Sequence, residues 1–259
     1  MVALDQFSLS GKTVLITGAT SGIGGALALA CAEAGACVCA IGRNREKLDD
    51  LGKKLAAVSS ETHFTRSFDV TDFAGIGTLI QRAVEQCGKI SGFVHCAGIA
   101  ETIPLKIMTP DIYERIYRVN VIAGYEFIKE ISRKKNLDNN DGASYVLVSS
   151  VSALRGEAGL LAYSSSKGAI LSGVRALAAE LAGKNIRVNC IVPGLLPETA
   201  MGQKTIGGLS QEAAREMENK HLLGFGKTEY LTGPVIFLLS AASRWMTGTA
   251  LNVDGGYTL

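Results

Sequence analysis

A chain of 259 residues, 47% apolar and only 19% charged, holds enough apolar side chain for a large dry core and too little charge for disorder. Its net charge of +2 gives no electrostatic reason to expect nucleic acid or an anionic membrane surface as a partner. Three histidines without ligand-like spacing argue against a metal site, and six cysteines that form no Cys-x-x-Cys and lie mostly in apolar runs read as reduced.

The N-terminal residues show neither the basic start nor the apolar core of a signal peptide, so a cytoplasmic location is expected. Strand-like apolar runs then alternate with helical patterns to the end of the chain, with no linker or repeat between them. The strands fall at Thr13–Thr17, Ala36–Ile41, His63–Phe68, Phe93–Cys96, Ser144–Val148, Arg187–Val192 and Ala250–Val253. Continuous apolar strands separated by helices predict an α/β fold: one domain over residues 1–259, a doubly wound Rossmann-type parallel sheet of about seven strands. Such a sheet binds ligands beyond the carboxyl ends of its strands, where strand order reverses.

The first strand runs into Gly18-Ala-Thr-Ser-Gly22-Ile-Gly24 and then an Ala-rich helix, Ala26–Ala34. Backbone N–H groups and a helix N-terminus in this context can cradle a pyrophosphate. The weakly apolar Gly22–Gly42 has only Glu33 charged, but Gly35 and the β-rich Ala36–Ile41 divide it into a buried helix and strand rather than a membrane span. The second strand ends Ile41-Gly42-Arg43-Asn44, without the acid that grips a ribose 2′-hydroxyl and with an Arg that suits a 2′-phosphate. NADP(H) is therefore expected over NAD(H).

Glu101 to Leu137 reads as largely helical, with Asn120 on a long helix. Val146–Val148 should deliver Ser149 and Ser150 to a sheet edge. After a Gly-containing loop the pattern turns helical, which places Tyr163 and Lys167 at i and i+4 on one face. A phenol beside an ammonium is an acid/base device: the cation favours phenolate and should lower a pKa that is ordinarily near ~10. A hydroxyl such as Ser150 could hold a carbonyl oxygen for protonation. Leu195 to Thr228, with Gly207-Gly208 and a polar helix at Ser210–Lys220, reads as a mobile flap. His221 is expected to be solvated, Trp245 and Met246 to be core or subunit contacts, and His95 and Cys96 to pack at a strand end. Arg155 and Glu157 could face either substrate or solvent.

With Thr-Gly-x-x-x-Gly-Ile-Gly at Thr17–Gly24 and Tyr-x-x-x-Lys at Tyr163–Lys167, the sequence resembles the short-chain dehydrogenases/reductases of the short, single-domain branch, over essentially the whole chain. Phe68-Asp69-Val70 is similar to the family's adenine-contacting segment. Val119-Asn120-Val121 carries its active-site Asn, Pro193-Gly194 its nicotinamide-bordering turn, and Asn252–Gly256 its C-terminal signature. The resemblance implies a catalytic set of Asn120, Ser150, Tyr163 and Lys167. It implies cofactor contacts from Gly18, Ser21, Gly22, Ile23, Gly24, Arg43, Asn44, Asp69, Val70, Ala97, Gly98, Asn120, Tyr163, Lys167, Pro193, Gly194 and Leu196.

Two departures from the family stand out. His95-Cys96 replaces the first two residues of its usual Asn-Asn-Ala-Gly, and Glu198 occupies the position of its Thr, with Thr199 one residue later. The expected activity is carbonyl reduction, with a small-molecule or acyl-thioester substrate as partner. The resemblance to 3-oxoacyl-carrier-protein reductases puts 3-oxoacyl thioesters first and sugar alcohols, steroids or other secondary alcohols second. A catalytically inactive cofactor-sensing or scaffold protein on the same fold is a remote alternative. Homo-oligomers, tetramer or dimer, are expected from the family.

Overall fold

The computed structural model describes residues 3–259; the first two residues of the N-terminal segment read above lie outside them. Seven strands form one parallel sheet: β1 (Thr13–Thr17), β2 (Cys37–Gly42), β3 (Phe64–Ser67), β4 (Gly92–His95), β5 (Ala143–Val148), β6 (Ile186–Pro193) and β7 (Ala250–Val253). Their order is β3-β2-β1-β4-β5-β6-β7, so the winding reverses between β1 and β4. The expected strands are all present, with ends shifted by a residue or two.

The helices are α1 (Gly22–Glu33), α2 (Arg45–Val58), α3 (Ile76–Cys87), α4 (Pro110–Tyr117), α5 (Ala123–Ile131), α6 (Leu161–Leu181), α7 (Ala200–Gly207), α8 (Gln211–Asn219) and α9 (Thr232–Leu239). Successive strand residues point to opposite faces of the sheet. Leu15 thus joins one buried cluster with Leu79 and Ile80 of α3, Phe127 of α5 and Ile170 of α6. Its neighbours Val14 and Ile16 join another, with Leu27 of α1, Leu51 of α2 and Val235 of α9. Fully buried strands are hydrophobic throughout because both faces are covered.

Two helical expectations need correction. The first helix begins at Gly22, not Ala26: the glycine turn runs straight into it, and Gly24 packs in its first turn where a side chain would not fit. Asn120 does not lie within one long helix. It lies in a π-helical turn, Arg118–Ile122, between α4 and α5, and such turns recur at functional sites. None of the described helices is long and apolar enough to cross a membrane.

Candidate active site

At the reversal point the turn after β1 meets the turn after β4. A Cβ on Gly18 (φ +71°) would stand 2.7 Å from the Ala97 nitrogen, and one on Gly24 would run into the Gly18 carbonyl oxygen. The two chain segments touch only because these positions lack side chains. Ser21 precedes α1 without a side-chain cap, and the first turn carries no acid. The first N–H groups of an α-helix have no partner within it and attract anions.

Gly22 and Ile23 open α1 beside this turn, and Gly98 follows Ala97. Thr199, beyond β6, reaches across to Gly22, where a Cβ would meet its methyl group at 3.4 Å. Thr199 also caps α7, accepting from Gly202 N at 3.0 Å, while Glu198 turns away to accept from Thr228 N at 2.7 Å. Further along the edge, Arg43 is exposed at the end of β2, and Asn44 caps α2 by accepting from Lys47 N. Asp69 accepts from the Thr71 N–H and hydroxyl, which hold its carboxyl below the usual range, and Val70 is buried behind it. At the end of β6 lie Pro193, Gly194 and buried Leu196.

The four residues predicted to carry chemistry come together beside β4 and β5. Tyr163 and Lys167 share one face of α6, and Lys167 Nζ donates to the Val148 carbonyl at 2.8 Å. A Cβ on Gly98 would lie 3.4 Å from that Nζ and 3.5 Å from Asn120 Oδ1. Asn120 is fully buried: Oδ1 accepts from Ile99 N, while Nδ2 donates to Ile99 O and to Ser166 Oγ. Ser150 caps a short turn by accepting from Ser152 N, and it lies near enough to the Tyr163 phenol to pull its pKa down.

The expected depression of the Tyr163 pKa by Lys167 does not hold. Burial pushes the phenol above its ordinary value, Ser150 pulls it partly back, and Glu157 opposes that pull. Lys167 Nζ stands 5.8 Å from the centre of the phenol ring, and burial lowers its own pKa to about 8. Burial, which disfavours phenolate and ammonium alike, sets the direction for each group.

Sequence reasoning placed His95 at a strand end without a role. The structure gives it one. Val119 O can only accept, so His95 Nε2 donates to it at 3.1 Å, leaving Nδ1 to accept from the Thr17 hydroxyl at 2.9 Å. Thr17 Oγ1 in turn accepts from Ala97 N at 3.4 Å. One imidazole therefore ties the glycine-side turn to the π turn that carries Asn120. Gly124 makes room for it, since a Cβ there would lie 2.9 Å from the ring. Burial lowers the His95 pKa to about 4, with Lys167 acting in the same direction.

Other side chains named in the sequence can be placed. His221 is not solvated but 3% exposed, enclosed by the loop that follows α8 and by the C-terminal residues. Trp245 is not core, being 99% exposed, although Met246 beside it packs against the α1-side cluster. Arg155 and Glu157 face the C-terminal segment: Arg155 donates to Leu259 O, and Glu157 accepts from the Tyr257 hydroxyl at 3.0 Å. Long-range contacts of this kind leave no local pattern in the sequence.

Known proteins agree with this geometry. A family model described as enoyl-(acyl carrier protein) reductase matches residues 18–258. A 3-oxoacyl-(acyl-carrier-protein) reductase of Thermotoga maritima is 34% identical over 252 residues, covering 97% of this chain and 99% of its own. An L-rhamnose 1-dehydrogenase (NAD(P)+) of a Sphingomonas species is 33% identical over 258 residues, with 96% of each chain covered. Among solved structures, a 7α-hydroxysteroid dehydrogenase complexed with NADH and 7-oxo glycochenodeoxycholic acid superimposes with a TM-score of 0.91 at 28% identity, covering 99% of this chain and 98% of that one. Sheet order, glycine turn and the Tyr163–Lys167 helix thus make this chain a member of the short-chain dehydrogenase/reductase family, oxidoreductases that act on alcohol and carbonyl groups with NAD(P)(H).

Proposed function

We propose that this protein is an NADP(H)-linked carbonyl reductase, acting as one domain over residues 1–259, and that 3-oxoacyl thioesters are its substrate class. The observation that carries the reading is the grouping of Lys167 and Asn120 against Gly98, beside the glycine turn, with Tyr163 one turn from Lys167 on α6 and Ser150 near the phenol. A dinucleotide fits the residues present. Gly18 and Gly24 let the turn pack closely against Ala97 and against itself, the N-terminus of α1 beside it has no side-chain cap, and exposed Arg43 follows β2, as a 2′-phosphate would require.

The cofactor, when bound, supplies the hydride. The remaining chemistry falls to the chain. Ser150 hydrogen-bonds the carbonyl oxygen where negative charge develops, and the Tyr163 phenol gives that oxygen its proton. Burial keeps Tyr163 protonated at neutral pH, so it starts as an acid, the form that reduction requires. Lys167 holds a positive charge behind the phenol that stabilises the phenolate left after transfer. Asn120 fixes the Ile99 backbone and Ser166, and Ser166 Oγ donates to the Tyr163 carbonyl at 2.7 Å. The phenol is thereby positioned from both ends. Positioned proton transfer of this kind is worth about 10²–10⁴ in rate.

The exposed side chains at the carboxyl edge favour an acyl group over a polyhydroxylated one. Leu154 and Leu161 flank the Ser150–Tyr163 loop, Leu222 and Leu223 (87% exposed) follow α8, and Leu105 lies in the loop after β4. The similarity to an L-rhamnose dehydrogenase keeps sugar oxidation as the second reading. The test is NADPH absorbance with the purified protein and a panel of acetoacetyl-CoA, simple ketones, ketosugars and ketosteroids. Reduction of the thioester in preference to the others supports the proposal; turnover confined to ketosugars or ketosteroids refutes it. We also propose a homo-oligomer, dimer or tetramer, because Trp245 is an almost wholly exposed indole beside β7. Light scattering on the purified protein would test this, and a monomer would refute it.

A further inference from the structure

We infer that His221 is a positioning residue, the coupling through which the 195–228 segment sets the turn Pro193-Gly194-Leu195. This rests on the reading of that turn as the border of the nicotinamide site. The His221 Nδ1–H donates to Met217 O in α8 at 2.9 Å, because a carbonyl can only accept. Nε2 is then the acceptor for Leu195 N, at 3.1 Å. One neutral imidazole therefore joins a helix of the flap to the residue that follows Pro193-Gly194. The carbonyl of Leu195 is tied to the same segment, accepting from Gly226 N at 3.1 Å. Both backbone groups of Leu195 thus answer to residues downstream in the flap.

The ring has a fitted place. A Cβ on Gly194 would lie 3.0 Å from its Cδ2, so the turn admits the imidazole only because residue 194 is glycine. Tyr257 covers one side, with ring centres 4.5 Å apart, and Phe225 meets its edge at 5.4 Å. Tyr257 donates in turn to Glu157, between Ser150 and Tyr163, and Arg155 of the same loop reaches the Leu259 carbonyl. The C-terminal segment consequently links the ring to the loop that positions the phenol. His221 touches none of the predicted catalytic side chains. Its effect passes through the backbone N–H of Leu195.

Two substitutions separate this role from plain structural support. His221→Asn places an amide at the Nδ1 position, keeps the Met217 bond and cannot reach Leu195. His221→Gln extends an amide oxygen to the Nε2 position and restores an acceptor for Leu195. Three readouts apply: NADPH affinity by fluorescence titration, amide hydrogen exchange of the 193–199 segment, and kcat/KM for acetoacetyl-CoA. Leaving a buried N–H without an acceptor should make His221→Asn about tenfold worse in each, with His221→Gln within about threefold of the parent. Equal NADPH affinity and equal 193–199 exchange in the two variants, both intact or both impaired, would overturn the inference. If the parent does not reduce acetoacetyl-CoA, the thioester reading fails, and NADPH affinity and exchange still decide the role of His221.

Discussion

Two regions meet at the carboxyl edge of the sheet and are built differently. Between β1, β4 and β5, the buried polar atoms of Asn120, Lys167 and His95 bond to backbone groups of Ile99, Val148 and Val119. Around the 195–228 segment and the C-terminus, side chains also reach distant chain, Glu198 to Thr228 N, His221 to Leu195 N and Tyr257 to Glu157, but the helices they hold lie outside the core: α8 buries no residue and α7 only Gly202. Backbone-anchored polar groups in a dry interior keep one geometry, since each lost bond leaves an unpaired group behind. A segment whose helices bury so little has less holding it in place than the dry interior. On the function proposed above, chemistry falls to the first region and selection to the second.

The sharpest break of this contrast removes the phenol. Tyr163→Phe should lower turnover by about 10³ or more, the upper part of what positioned proton transfer supplies, with NADPH affinity within about twofold. A carbonyl assay paired with fluorescence titration checks it, and retained turnover would refute the role. Next comes the cradle. Gly24→Val drives a side chain into the Gly18 carbonyl, and NADPH binding should weaken at least about a hundredfold, measured by the same titration.

His95 sharpens the comparison through pH. Its folded pKa, about 4, lies below the ordinary ~6.5, so the folded protein binds fewer protons. The stability it contributes is full above pH ~6.5 and is lost as the pH falls toward 4, on the order of 3 kcal/mol in all. Urea melts across that range should show a shallower loss in His95→Asn than in the parent. Parallel pH profiles would mean that the imidazole is not held neutral by burial.

Smaller effects belong to the periphery. Arg43→Asp should shift the ratio of kcat/KM for NADPH over NADH toward NADH by about tenfold, roughly the worth of one charge-assisted contact. Tyr257→Phe removes only the hydroxyl bond to Glu157, costing about 1 kcal/mol, and should change kcat/KM a few-fold at most.

The fold was legible because the central strands β1, β2, β4 and β5 are short, mainly apolar and buried runs closed by glycine or a polar turn, and because the glycine motif follows one of them directly. The shared face of Tyr163 and Lys167 followed from helical spacing, and the place of Ser150 from its position just past β5. The roles of His95 and His221 did not, since each depends on a partner that the chain brings from elsewhere: Val119 is 24 residues from His95 and Leu195 is 26 from His221. The glycines opposite them, Gly124 and Gly194, are the traces they leave, visible only once the contacts are known. The Tyr163 pKa was misjudged for a related reason. Helical spacing reveals the neighbouring cation but not the depth of burial, and burial decides the sign.

The most direct test of the central claim is a crystal structure with NADP+ bound. The account predicts the pyrophosphate at the N-terminus of α1, and the Tyr163 and Ser150 hydroxyls both facing the C4 edge of the nicotinamide, with Lys167 beside its ribose. A nicotinamide seated away from Tyr163, or a pyrophosphate bound elsewhere than the Gly18–Gly24 turn, would contradict it.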